Sequence, residues 1–144
     1  MSGYGEHKGL EDYRFADLPS LVDDRDPHQL VQLMLDGAVA RVVQAQGALE
    51  GGEIPLKCEL IGKAIGLVEG LRACLDEERG EAIAANLSAL YDYMARRLVA
   101  ANAFNDSEAL KEVASLLREV QSGWQEMGKQ LSVNQPAEES QAAG

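Results

Sequence analysis

The chain has 144 residues, enough for one hydrophobic core and too few for two comfortable ones. Apolar residues make up 46% of it and aromatic residues only 5%, with Ala, Leu, Val, Glu and Gln dominant, which favours an all-helical domain. The 24 acids against 13 bases leave a formal net charge of -11, a surface that repels phosphate backbones, argues against nucleic-acid binding and favours solubility.

Residues 1–25 show no sustained period, and the opening MSGYGEHKGLEDY lacks the basic start and apolar run of a signal peptide. They nevertheless place Tyr4, Leu10, Tyr13, Phe15, Leu18, Leu21 and Val22 among acids, more apolar groups than disordered tails hold. The first 26 residues carry seven acids and three bases, a large share of the total excess.

Four helices are expected between residues 26 and 130. Asp26 followed by Pro27 is a helix start, and the pattern continues to about Leu49 with Leu30, Leu33, Met34, Ala38, Val42, Ala45 and Leu49 on one stripe. Gly51 and Gly52 break the chain, Pro55 opens a second helix to about Asp76, and Gly80 marks the next turn. The third helix covers roughly Glu81 to Asn102. Asp106 or Ser107 caps a fourth, which runs to about Gln130 with Leu110, Val113, Leu117, Val120, Trp124 and Met127 at bundle-seam spacing. Residues 131–144 carry two acids and no base and almost nothing apolar, so a disordered acidic tail is expected there. The fold class is therefore all-α, an antiparallel four-helix bundle with an irregular N-terminal segment and a disordered C-terminal tail.

The second helix has an excess of apolar surface. Leu60, Ala64, Leu67, Leu71 and Leu75 form one face, Ile61, Ile65 and Val68 form another about 100° round, and Gly62, Gly66 and Gly70 form a line that permits close backbone approach. Because no helix of a four-helix bundle is central, the second face is expected to need a separate cover. The third helix shows a milder excess: Ile83, Leu87, Leu90, Met94, Leu98 and Ala101 make the bundle stripe, and Ala84, Tyr91, Ala95, Val99 and Asn102 lie beside it. Tyr93 and Arg97 sit on the other flank, one turn apart, as a local packing pair. Asn86 and Asn102 are expected to make buried structural hydrogen bonds.

The residues of an enzyme are missing. The only histidines are His7 in the N-terminal segment and His28, which reads as a surface or capping residue. No Glu-x-x-His pair of the di-iron bundles and no phosphate-binding glycine loop is present, so no catalysis, cofactor or metal is expected. Cys58 and Cys74 fall in one helix 16 positions apart, about 24 Å at about 1.5 Å per residue, too far to pair or share a metal; half-buried free thiols in a reducing compartment are expected. No stretch approaches the roughly 18 apolar residues of a membrane span, so no membrane insertion is expected and the chain is placed in the cytoplasm.

The segments DPHQLVQLMLDGAVARV, GKAIGLVEGL, CLDEERGEAIAANLSALYDYMARRLVAANAFND and LLREVQSGW together resemble the flagellin-export chaperone family, the FliS-type flagellar secretion chaperones, from about Tyr13 to Trp124. The resemblance implies a cytoplasmic helical bundle that holds flagellin and prevents its polymerisation before export. It further implies that flagellin's C-terminal segment becomes helical on the bundle, that the complex is delivered to the flagellar export gate, and that some relatives bind the anti-sigma factor. Beside it, the residues themselves place a client groove between the extra band Ile61, Ile65, Val68 and the band Ala84, Leu87, Tyr91, Ala95, Val99, with Tyr4, Leu10, Tyr13 and Phe15 as a lid over it in the unbound protein. The alternative is a non-enzymatic helical adaptor or a homodimeric bundle that buries the extra face against a second copy.

Overall fold

The computed structural model describes residues 26–75 and 81–143, with side chains described for 26–75 and 82–130. They form four helices, α1 (Pro27–Glu50), α2 (Ile54–Ala73), α3 (Glu81–Phe104) and α4 (Ser107–Ala143). Each helix packs on its sequence neighbours, and α4 closes back on α1, so the helices form a four-membered ring of contacts around one core.

The helix ends follow from local stereochemistry. The Asp26 side chain accepts the Gln29 backbone N–H at 3.1 Å, and Pro27 occupies the first turn of α1, where a missing N–H costs nothing. Gly52 takes φ +74 after α1, a conformation that suits a residue without Cβ. Between α3 and α4 the chain turns in two residues. Asn105 adopts φ +53, Asp106 N–H returns to the Ala101 carbonyl at 3.1 Å, and the Asp106 side chain then accepts from Ala109 N–H at 3.2 Å. The start expected at Asp106 or Ser107 is thus capped by Asp106. α3 runs two residues past Asn102 to Phe104, α2 stops at Ala73 rather than near Asp76, and the α4 backbone continues past Gln130 to Ala143.

The core explains the two-faced second helix. Ile61 and Val68 are fully buried, as are Ala64 and, nearly so, Leu67 and Leu71, while Ile65 is half-buried against the same cluster. The expectation that Ile61, Ile65 and Val68 need a cover from outside the bundle is therefore corrected. In a ring of four, α2 has two neighbours, α1 and α3, about a quarter-turn apart, and a helix so placed buries two faces about 100° apart. On the α1 side, a Cβ added at Gly70 would lie 2.5 Å from Met34 Cε, and one at Gly37 3.2 Å from Leu67 Cδ1, so these two glycines allow close approach; Gly62 faces open space. On the α3 side, Arg72 donates through Nε to Ser88 Oγ at 3.1 Å and pairs with Asp92 at 3.4 Å. In α1 the core positions are Leu35, Ala38, Val42, Ala45 and Ala48, with Leu33 and Leu49 only half-buried, a small rotation from the expected stripe.

One charged side chain is enclosed. Lys57 is 1% exposed and its Nζ donates to the Asn102 carbonyl at 2.9 Å and to Asn105 Oδ1 at 2.5 Å. It places a cation at the C-terminal end of α3, where carbonyls lack helical partners and the dipole is negative. Asn86, expected to make a buried hydrogen bond, is exposed; Asn102 is half-buried, its carbonyl held by Lys57 and its side-chain oxygen without a hydrogen bond among the described residues.

Candidate functional site

Burial falls steadily toward one end of the bundle. Along α3, Ala101, Leu98 and Met94 are fully enclosed, Leu90 and Leu87 are half-buried, and Ile83 is 66% exposed. Along α4, Leu110, Val113 and Leu117 are fully enclosed, Val120 and Trp124 are half-buried, and Met127 is 46% exposed. Because the helices are antiparallel, both gradients run to the same end, where all four helices surround an apolar cavity of about 580 Å³. Its walls are Pro27, His28 and Val31 of α1, Leu71 at the end of α2 with Cys74 and Leu75 beyond, Ile83, Ala84, Leu87 and Tyr91 of α3, and Val120, Gly123, Trp124 and Met127 of α4. The exposed large apolar side chains of this lining, Ile83 and Met127, belong to α3 and α4, so the mouth lies along their seam.

Two polar arrangements frame the cavity. On the α1–α4 side, the rings of His28 and Trp124 stack at 4.6 Å with 9° between planes, and two hydrogen bonds join the same residues. The second arrangement joins α3 to α4: Tyr93 Oη donates to Glu112 Oε2 at 2.6 Å, and Arg97 Nε donates to Glu112 Oε1 at 2.7 Å. The Tyr93 hydrogen bond, then that from Arg97, holds the Glu112 carboxyl below its ordinary value, and the same carboxylate is the first cause that raises Tyr93. Tyr93 and Arg97 are thus not merely a local pair on one helix; both reach across to α4. Arg96 stays in water, 75% exposed, and pairs with Asp92 at 2.9 Å.

Tyr91 is the polar residue that α3 contributes to the wall. It is 3% exposed, and burial, with a smaller contribution from Cys74, pushes its phenol up to about 12. At neutral pH it is a neutral hydroxyl on a large apolar body. The cavity lining is mainly apolar, with the Tyr91 hydroxyl, the His28 imidazole and the Cys74 thiol among its few polar groups. No group of three or more His, Cys, Asp or Glu suited to a metal occurs among the described residues. Cys58 and Cys74 are both exposed free thiols rather than the half-buried ones expected.

Of the eight residues assigned to a client groove from the sequence, Ala84, Leu87 and Tyr91 line the cavity. Ile61, Val68 and Ala95 are in the core, Ile65 packs against it, and Val99 is 57% exposed outside the cavity. Tyr4, Leu10, Tyr13 and Phe15, assigned to a lid, lie outside the described residues. Sequence reasoning missed the α1 and α4 walls. His28 reads locally as a cap, and Trp124 and Met127 continue the seam without a break in spacing. The signal that was available is size: a Trp and a Met close a stripe otherwise built of Leu and Val, where large side chains suit a widening gap.

The fold and this site define a helical-bundle protein with a preformed apolar recess at one end. The family described as flagellar protein FliS matches residues 12–131, and the chain belongs to that family. It is 50% identical over 117 residues to the flagellar secretion chaperone FliSB of Pseudomonas aeruginosa, covering 81% of this chain and 93% of that protein. Against the flagellar secretion chaperone FliS of Salmonella typhimurium the identity is 42% over 125 residues, 86% of this chain and 93% of the relative. The corresponding protein of Vibrio cholerae is 37% identical over 118 residues, 82% and 87% of the two chains.

Proposed function

We propose that this chain is a cytoplasmic, non-enzymatic export chaperone that binds flagellin through its C-terminal segment, prevents premature polymerisation and assists delivery to the flagellar export gate. The observation that carries the reading is an apolar cavity open along the α3–α4 seam in a member of the FliS family. A disordered client that becomes helical on binding must recover its ordering entropy from apolar burial, and Ala84, Leu87 and Tyr91 supply a preformed apolar wall. Val99 offers contact further along a wrapped path, Ile65 is partly accessible, and Ile61, Val68 and Ala95 support the wall from beneath. Tyr4, Leu10, Tyr13 and Phe15 cover the cavity in the unbound protein and are displaced by the client; their apolar character in an acidic, irregular stretch supports this. An anti-sigma factor is a second partner by family resemblance.

Mixing the full chain with a peptide of the flagellin C-terminal segment tests the reading. A gain of helical circular dichroism and a stoichiometric complex by sedimentation are expected. A chain that self-associates and leaves the peptide unstructured is an adaptor or homodimer instead.

A further inference from the structure

We propose that Tyr93, Arg97 and Glu112 are positioning residues for the cavity: together they fix the point at which α3 and α4 part, and so the length of seam open to a helical client. The client half of this statement rests on the function proposed above; the helix-parting half does not.

Among the described residues, Glu112 is the only point at which polar contacts join α3 to α4, through Tyr93 at 2.6 Å and Arg97 at 2.7 Å. Beyond it, the facing stripes change from full to partial burial, within about one turn of Tyr93 on α3, between Met94 and Leu90, and about one and a half to two turns past Glu112 on α4, between Leu117 and Val120. From there each helix is held by a different neighbour. Arg72 of α2 takes Ser88 and Asp92 of α3, and on the other side Gln121 of α4 donates to Asp36 of α1 at 2.8 Å while Trp124 is held by His28. Two helices drawn apart by separate partners need a fixed pivot if the space between them is to keep one shape. The carboxylate supplies it geometrically, because its two oxygens engage two donors one turn apart on α3 and so resist both sliding and rotation. A cavity held in shape in advance spares a client the cost of arranging it.

The test uses the full chain with Tyr93→Phe and Glu112→Gln, read by amide hydrogen exchange and by acrylamide quenching of Trp124, the single tryptophan. Exchange over residues 84–90 is expected to accelerate about fivefold, the scale of one partly exposed charged contact, with Trp124 more quenchable and residues 94–101 still protected. Affinity for the flagellin C-terminal peptide should fall by about the same factor. Unchanged exchange over 84–90 overturns the proposal, and so does a uniform acceleration through 94–101, which marks a general contribution to stability. A wild-type chain that ignores the peptide refutes the client reading alone, because exchange and quenching require no client.

Discussion

His28 and Trp124, 96 positions apart, hold each other three ways: their rings stack at 4.6 Å, Trp124 Nε1 donates to the His28 carbonyl at 2.9 Å, and His28 Nε2 donates to the Trp124 carbonyl at 3.0 Å. A carbonyl only accepts, so the ring proton must reside on Nε2. Gly128 flanks the imidazole, where a Cβ would lie 2.5 Å from Cε1. His28→Ala removes the stack and one hydrogen bond and should cost about 2 kcal/mol. Gly128→Ala gains about 1 kcal/mol of helix propensity but pushes a methyl into a ring held on its other side, so a net loss of about 1 kcal/mol is expected. Urea melts of the two variants check both values, and a stabilised Gly128→Ala would mean that the clasp is loose.

Lys57 does for α3 what no residue within that helix can do. Its ammonium holds the Asn102 carbonyl and the Asn105 side chain from α2, at the only fully buried charged position among the described residues. Lys57→Met keeps most of the apolar stem but leaves two acceptors without their donor, which should cost about 2–3 kcal/mol. A thermal melt within a degree of wild type would show that water replaces the ammonium without loss.

How much of this was legible follows from the range of the forces involved. Asp26–Pro27, Gly51–Gly52 and Asp106 act within a few residues, so their consequences are written where they stand in the chain. The seam of α4 was equally visible, because Leu110, Val113 and Leu117 need only a helix and a core. Periodicity reports the direction of a side chain and not the distance to the helix opposite, so Leu87 and Leu98 look alike on the α3 stripe although one lines a cavity and the other is sealed. The same blindness made Ile61 and Val68 look uncovered. Lys57 carries no mark in the sequence, and Tyr93 and His28 read as local residues, for a different reason: each acts on a partner 45, 19 or 96 residues away, and nothing in its own neighbourhood marks that partner.

The pH dependence of stability should be steep on the alkaline side. Tyr91 is raised from 10.0 to about 12 because burial disfavours the phenolate. A raised folded value stabilises the protein fully below the unfolded value and is lost as pH rises through the folded one, so the loss falls between about pH 10 and pH 12. Because water at the cavity screens part of the effect, the contribution is on the order of 1–2 kcal/mol. Tyr91→Phe should flatten that limb of a stability–pH curve measured by denaturant unfolding; an equally steep limb in the variant would assign it elsewhere. Glu112 acts with the opposite sign. Its depressed value stabilises the fold above the ordinary carboxyl value of 4.5 and is lost as pH falls below it, a slope that Glu112→Gln should remove.

The cavity and the core beneath it can be separated by one substitution in each. Leu87 is half-buried at the wall, so Leu87→Glu places its carboxylate within reach of water at the mouth and should cost about 1–2 kcal/mol of stability. In a seat for an apolar client face, the same charge is desolvated on binding, and affinity for the flagellin C-terminal peptide should fall by at least about tenfold. Ile61 is fully enclosed, and Ile61→Ala should cost about 2–5 kcal/mol while the fraction that remains folded binds with nearly wild-type affinity. Calorimetric titration under conditions where both variants are folded compares them directly. Equal losses of affinity would mean that binding follows stability and that the cavity is not where the client lies.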